Sequence, residues 1–195
     1  MNLGEPFGGL IPGARGAALA VLLRTGAPLT GRRVHALVAD RHSLGAVQQA
    51  LRDLDRLGLI TTETFGRAGV HRIKEGHAAT APLRALASPI EMLTRVVQEA
   101  VSEVDAVIVF GSVARGDAHA DSDIDLVVIA PAEWAGRAEL QQQVQDGLGN
   151  VCDVVHLTRE HFNLAPEDRE PVVAEVLRDG IALVGKMPRR TRVAS

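Results

Sequence analysis

A chain of 195 residues with 46% apolar content has enough material for one large core or two small ones. Its single cysteine, Cys152, excludes an internal disulfide framework. No apolar run is long enough to span a bilayer and no signal peptide is evident, so a cytoplasmic protein without a membrane partner is expected. The net charge of −3 hides an asymmetry. Residues 1–88 carry 11 Lys and Arg against 6 Asp and Glu, a net of +5, whereas residues 89–195 carry 10 against 18, a net of −8. A basic half and an acidic half suggest two domains with different partners, and the basic one suits nucleic acid.

Met1 to Gly13 is rich in Gly and Pro and is expected to be loosely ordered. Ala14 to Thr25 predicts a helix, with Ala17, Leu19, Val21, Leu22 and Leu23 supplying apolar surface. Pro28-Leu29-Thr30 reads as a turn, with Thr30 capping a short helix through Ala39. Ser43 caps a third helix. Its Val47, Ala50, Leu51, Leu54 and Leu57 recur at helical spacing and leave Gln48, Gln49, Arg52 and Arg56 outside. Leu59 to Glu63 and Val70 to Lys74 read as strands around a Gly66-Arg67-Ala68-Gly69 turn.

Three helices followed by a hairpin, written SLGAVQQALRDLDRLGLITTETFGRAGVHRI, resemble the winged helix-turn-helix family. The resemblance implies that the third helix enters the major groove of double-stranded DNA while the hairpin touches the neighbouring backbone. It sets Ser43, Gln48, Gln49 and Arg52 toward base edges or phosphates, and Arg67 at the wing tip. Gln suits adenine, and Arg suits guanine or phosphate. Winged helices also serve in dimerisation and protein docking, so a homodimer and a merely solvated Arg/Gln face stand as alternatives.

Glu75 to Ala87 is Ala-rich, and Pro82 can open a short helix there. Ser88-Pro89 is the best boundary, since the residue before proline resists helix. The expected domains are 1–88 and 89–186, with 187–195 as a basic disordered tail. Ile90 to Val104 predicts an amphipathic helix, Ala106 to Phe110 a strand, and Trp134 to Leu148 a helix in which Trp134 packs. Asn150 to Leu157 predicts another strand, Thr158 to Leu164 a connection, and Glu167 to Arg178 a last helix closed by Gly180. Ile181 to Val184 is extended. The fold class is α+β, with a small mixed sheet flanked by helices in the second domain.

The chemistry concentrates in residues 107–129, VIVFGSVARGDAHADSDIDLVVI. Strand side chains alternate, so Asp123 and Asp125 share one face while Ile124, Leu126 and Val128 take the other. Neighbouring carboxylates repel unless one is protonated or a cation lies between them. Hard oxygen donors of this kind suit Mg2+ or Mn2+ better than zinc. Gly111-Ser112 offers N–H groups, a hydroxyl and room for a phosphate to approach. Asp153 is a carboxylate inside an apolar β run, where an unpaired charge is costly. A metal shared with Asp123 and Asp125 is its expected partner, and a basic side chain at a strand edge is the alternative. Arg115 either meets phosphates or pairs with Asp117 or Asp121. Cys152 reads as a buried structural thiol and His156 as a packed residue on the strand face opposite Asp153.

Gly111-Ser112, ten residues, then Asp123-x-Asp125 form the GS-x10-DxD signature of the polymerase β-like nucleotidyltransferase superfamily. GSVARGDAHADSDIDLVV resembles its minimal nucleotidyltransferase branch, and VLRDGIALVG resembles the end of such domains. The resemblance implies transfer of a nucleoside monophosphate, AMP from ATP foremost, to an acceptor hydroxyl. It implies two Mg2+ ions on Asp123, Asp125 and Asp153, and the triphosphate on Gly111, Ser112 and Arg115. Many relatives carry an Arg or an aromatic where Val113 stands, so one nucleotide contact is expected to be missing. Minimal nucleotidyltransferases often act as antitoxins beside HEPN-type proteins, adding AMP to a partner tyrosine. The acceptor is expected to be another macromolecule, a small molecule, or a second subunit completing the cleft. The competing possibility is a transcriptional regulator whose transferase-like domain only binds nucleotide.

Overall fold

The structure is a computed structural model that describes residues 1–164 and 170–188. The chain folds as two units: Pro6–Pro89, and a second that joins Met1–Glu5 to the residues from Ile90 onward. Among the described residues no helix is long and apolar enough to cross a membrane.

In the first unit the order is α1 (Gly13–Thr25), β1 (Leu29–Thr30), α2 (Gly31–Ala36), α3 (Leu44–Arg56), β2 (Ile60–Phe65), β3 (Ala68–Ile73) and α4 (Thr80–Leu86). The Thr30 hydroxyl accepts from Arg33 N and the Ser43 hydroxyl from Ala46 N, so each satisfies one of the N–H groups that a helix start leaves free. α2 stops at Ala36 rather than Ala39 because the chain tightens into i→i−3 bonds, Leu37 N to Val34 O and Val38 N to His35 O. β2 and β3 are longer than expected. Phe65 pairs with Ala68, which leaves a two-residue turn of Gly66 and Arg67, and Gly66 supplies the positive φ such turns require. Leu29 and Thr30, expected as a turn, pair with His71 and Val70 and make the sheet three-stranded, in the order β1-β3-β2. Leu19, Leu22, Val34, Val47, Leu51, Leu54, Ile60 and Ile73 close the core.

In the second unit α5 (Pro89–Ala100) leads through a loop to β4 (Ala106–Phe110), α6 (Gly111–Arg115), β5 (Ile124–Ile129) and α7 (Arg137–Leu148). β6 (Cys152–Leu157), α8 (Arg159–Leu164), α9 (Pro171–Asp179) and β7 (Ile181–Gly185) follow. α5 ends short of Val104, where Glu103 takes a left-handed φ of 57°. The sheet order is β6-β5-β4-β7, with β5 and β6 parallel and the other pairs antiparallel. Alternation divides it into two apolar faces. Val107, Val109, Ile124, Leu126, Val128 and Val154 pack with Leu93, Val97, Leu140 and Val144. Ile108, Phe110, Val127 and Ile129 pack with Phe162, Val173 and Val176. Both faces being covered explains why β4 and β5 read as continuous apolar runs.

Three further segments depart from the sequence expectation. Met1–Glu5 is packed rather than loose: Leu3 is buried, and a side chain on Gly4 would collide with the Ala118 carbonyl. Residues 158–164, expected as a connection, form α8, with the Thr158 hydroxyl accepting from His161 N and Phe162 buried. Of the basic tail, Met187 packs on the core and Pro188 is buried, while residues 189–195 lie outside the described residues, as do 167–169 of the expected last helix.

Candidate functional site

The end of β4 and the start of β5 bring the motif together. Phe110 pairs with Asp125 across the antiparallel ladder, so the residue after Phe110 lies against the Asp125 side chain. That residue is Gly111, at φ +66°, and a Cβ there would run into Oδ2 of Asp125. Glycine is therefore required twice over, by conformation and by contact. Gly111 and Ser112 start the short helix α6. Val113 points into the core, so its apolar character is accounted for by packing.

Parallel pairing sets Asp153 of β6 directly beside Asp125 of β5. Neighbouring strands lie about 4.8 Å apart, so the two carboxylates share one sheet face at close range. Asp125 is half-buried, and its carboxyl is raised above its ordinary value by burial first and then by the charges of Asp153, Asp123 and Glu175, with Arg115 opposing. Contrary to the expectation from its apolar neighbours, Asp153 is exposed on the edge strand, as Asp123 is exposed before β5, and the costly partial burial falls on Asp125. Glu175, on α9, carries no motif and was not singled out from the sequence; only the packing of α6 against α9 discloses it.

Among the described residues no three His, Cys, Asp or Glu side chains are closed into a metal-holding set. The donor set nonetheless has the chemistry of a hard-cation site: carboxylate oxygens, mutual repulsion, and two exposed members that a cation can draw in. Arg115 Nε donates to Asp117 Oδ2 at 3.3 Å, the loop-holding arrangement of the two weighed above. The Cys152 thiol is pushed up to about 12 by burial and then by Asp153 and Asp125. His156 lies opposite Asp153, its ring edge-on to Trp134 at 5.2 Å, and both are packing groups.

In the first unit Gln48, Arg52 and Arg67 line a cleft of about 730 Å3 between α3 and the β2–β3 hairpin, together with Arg32, Phe65 and His71. Among the described residues no carboxylate lines it. Burial pushes His71 below its ordinary value, with Asp55 opposing, so the cleft's charge comes from three arginines. Gln49 and Ser43 lie outside the cleft. Gln49 donates to Asp53 and accepts from Arg52, and Ser43 is occupied as a helix cap.

Residues 91–186 match the family described as Polymerase beta, Nucleotidyltransferase. No curated protein sequence matches the chain significantly. Among solved structures, a toxin–antitoxin with AMP-PNP aligns at 23% identity and a TM-score of 0.39, covering 50% of this chain and 73% of that one. A tri-AMPylated Shewanella oneidensis HEPN toxin in complex with MNT antitoxin aligns at 20% identity and a TM-score of 0.33, covering 50% and 70%. TrmBL2, an archaeal chromatin protein, aligns at 13% identity and a TM-score of 0.27, covering 73% and 62%. The GS-x10-DxD text, the β4–α6–β5 arrangement and the family match coincide, and residues 91–186 are a polymerase β-type nucleotidyltransferase domain.

Proposed function

We propose that the protein transfers a nucleoside monophosphate, AMP foremost, from a nucleoside triphosphate to a hydroxyl on a partner macromolecule. The observation that carries this is the convergence of Asp123, Asp125 and Asp153 beside Gly111. Divalent cations, Mg2+ or Mn2+, would be held by these three carboxylates and would supply charge for the phosphates and a more acidic acceptor hydroxyl. Gly111 leaves room and Ser112 a hydroxyl for the triphosphate, and Arg115 reaches phosphate when it leaves Asp117. The acceptor oxygen bonds to the α-phosphorus, the bond to the bridging oxygen breaks, pyrophosphate leaves, and Asp153 takes the hydroxyl proton. The motif resemblance points to a HEPN-type protein as acceptor.

We further propose that the first unit is a winged helix that binds double-stranded DNA through Gln48, Arg52 and Arg67, with Ser43 and Gln49 at the margin. A cleft with three arginines and no carboxylate supports a phosphate backbone as its occupant. The experiment is nucleotide transfer with Mg2+ and ATP to the product of the neighbouring co-transcribed gene, followed by mass spectrometry. An added nucleotide on that product supports the transferase. Nucleotide binding without turnover favours the regulator.

A further inference from the structure

Among the described residues Asn150 is, with Thr80, one of two buried polar side chains; it is 4% exposed and lies just ahead of β6. Its Nδ2 donates to the carbonyls of Ala120 at 3.2 Å, Ser122 at 3.0 Å and Met1 at 3.0 Å, and its Oδ1 accepts from Met1 N at 2.7 Å. An amide has two donor hydrogens, so three acceptors around it share them. Two of those acceptors belong to one turn, which is also closed on itself: His119 N donates to Ser122 Oγ at 2.8 Å and Ser122 N to His119 O at 3.2 Å. Asp123 follows that turn and precedes the first ladder pair of β5, Ile124 with Cys152. The sheet register therefore fixes Asp125 and Asp153 but not Asp123, whose place depends on the anchoring of the turn.

We propose that Asn150 is a positioning residue for Asp123: its buried amide holds the 119–122 turn and so sets where the first carboxylate of the motif stands. The catalytic consequence rests on the transferase proposal; the anchoring does not. Removing a group that orients a metal-binding carboxylate costs about 10- to 100-fold in metal affinity or activity.

The test uses the full chain and Asn150→Asp, which keeps size and acceptor oxygen while losing both amide donors. In the wild-type protein the Asn150 side-chain NH2 protons exchange slowly with water by NMR. In the variant the backbone amides of 119–123 exchange faster while those of β4 do not change. Mn2+ binding without nucleotide, read by electron paramagnetic resonance, weakens about 10-fold or more, and kcat falls with KM for ATP unchanged. Rapid exchange of the wild-type side-chain protons overturns the proposal even if the variant fails to fold. So does a variant with wild-type loop protection, or one that loses only thermal stability while Mn2+ binding and kcat hold. If the wild-type protein transfers nothing, the transferase proposal fails, and the exchange and Mn2+ measurements still decide the role of Asn150.

Discussion

Two glycines of the motif share a left-handed backbone and differ in what surrounds them. Gly111 has φ +66° and lies under the Asp125 carboxylate; Gly116 has φ +76° with nothing within 4 Å of an added Cβ. Alanine in the left-handed region costs roughly 1–2 kcal/mol, so both Gly111→Ala and Gly116→Ala should destabilise by about that much. For a chain of this size each should lower the unfolding midpoint by a few degrees. Only Gly111→Ala also displaces Asp125, because its Cβ and Oδ2 cannot share the space. A misplacement of about 1 Å at a reacting centre costs about 100-fold, and Gly111→Ala should lose transfer activity on that scale while Gly116→Ala keeps it. The assay pairs thermal unfolding with pyrophosphate release. Equal activity in the two variants, beside equal loss of stability, would refute the claim that Gly111 is selected by contact with the carboxylate.

Asp125 has a raised pKa from burial and its acidic neighbours, so its stabilising contribution is present below the ordinary carboxyl value and is lost as pH rises through the raised one. In EDTA the second unit should therefore gain stability as pH falls from neutrality toward that value, and Asp125→Asn should flatten this slope in thermal melts. Mg2+ should raise the melting temperature more at pH 7 than at pH 5. The Cys152 thiol, pushed up to about 12, should resist alkylation at pH 8 until denaturant is added, as followed by mass spectrometry. Arg52→Ala and Arg67→Ala should each weaken DNA binding and lower the slope of log affinity against log salt by about 1, measured by fluorescence anisotropy. Unchanged slopes would remove these arginines from the interface.

The two cores are legible because β4 and β5 of the second unit are buried on both faces, and because helix spacing is regular in α3 of the first unit and α5 of the second. Alternation placed Asp123 with Asp125, and the parallel register added Asp153. What escaped has common causes. β1 is two residues long and α6 five, too short for any period to show. α8 carries a helix signal in Thr158, a cap residue, with Glu160 in the first turn, but at six residues it is as short as a connection. Glu175 and Asn150 act through long-range packing and carry no local pattern. The apolar neighbours of Asp153 suggest burial, whereas its strand lies at the sheet edge, and edge position is not written in local sequence.

The proposed cation-dependent transfer rests on the three carboxylates beside Gly111. Its most direct measurement is Mg2+-dependent pyrophosphate release from ATP with the co-transcribed partner, comparing the wild-type protein with Asp123→Asn, Asp125→Asn and Asp153→Asn. Turnover is expected in the wild-type protein, with a labelled partner, and near-complete loss in each variant. Turnover that persists in all three, or a wild-type protein that transfers nothing from any nucleoside triphosphate, would contradict it.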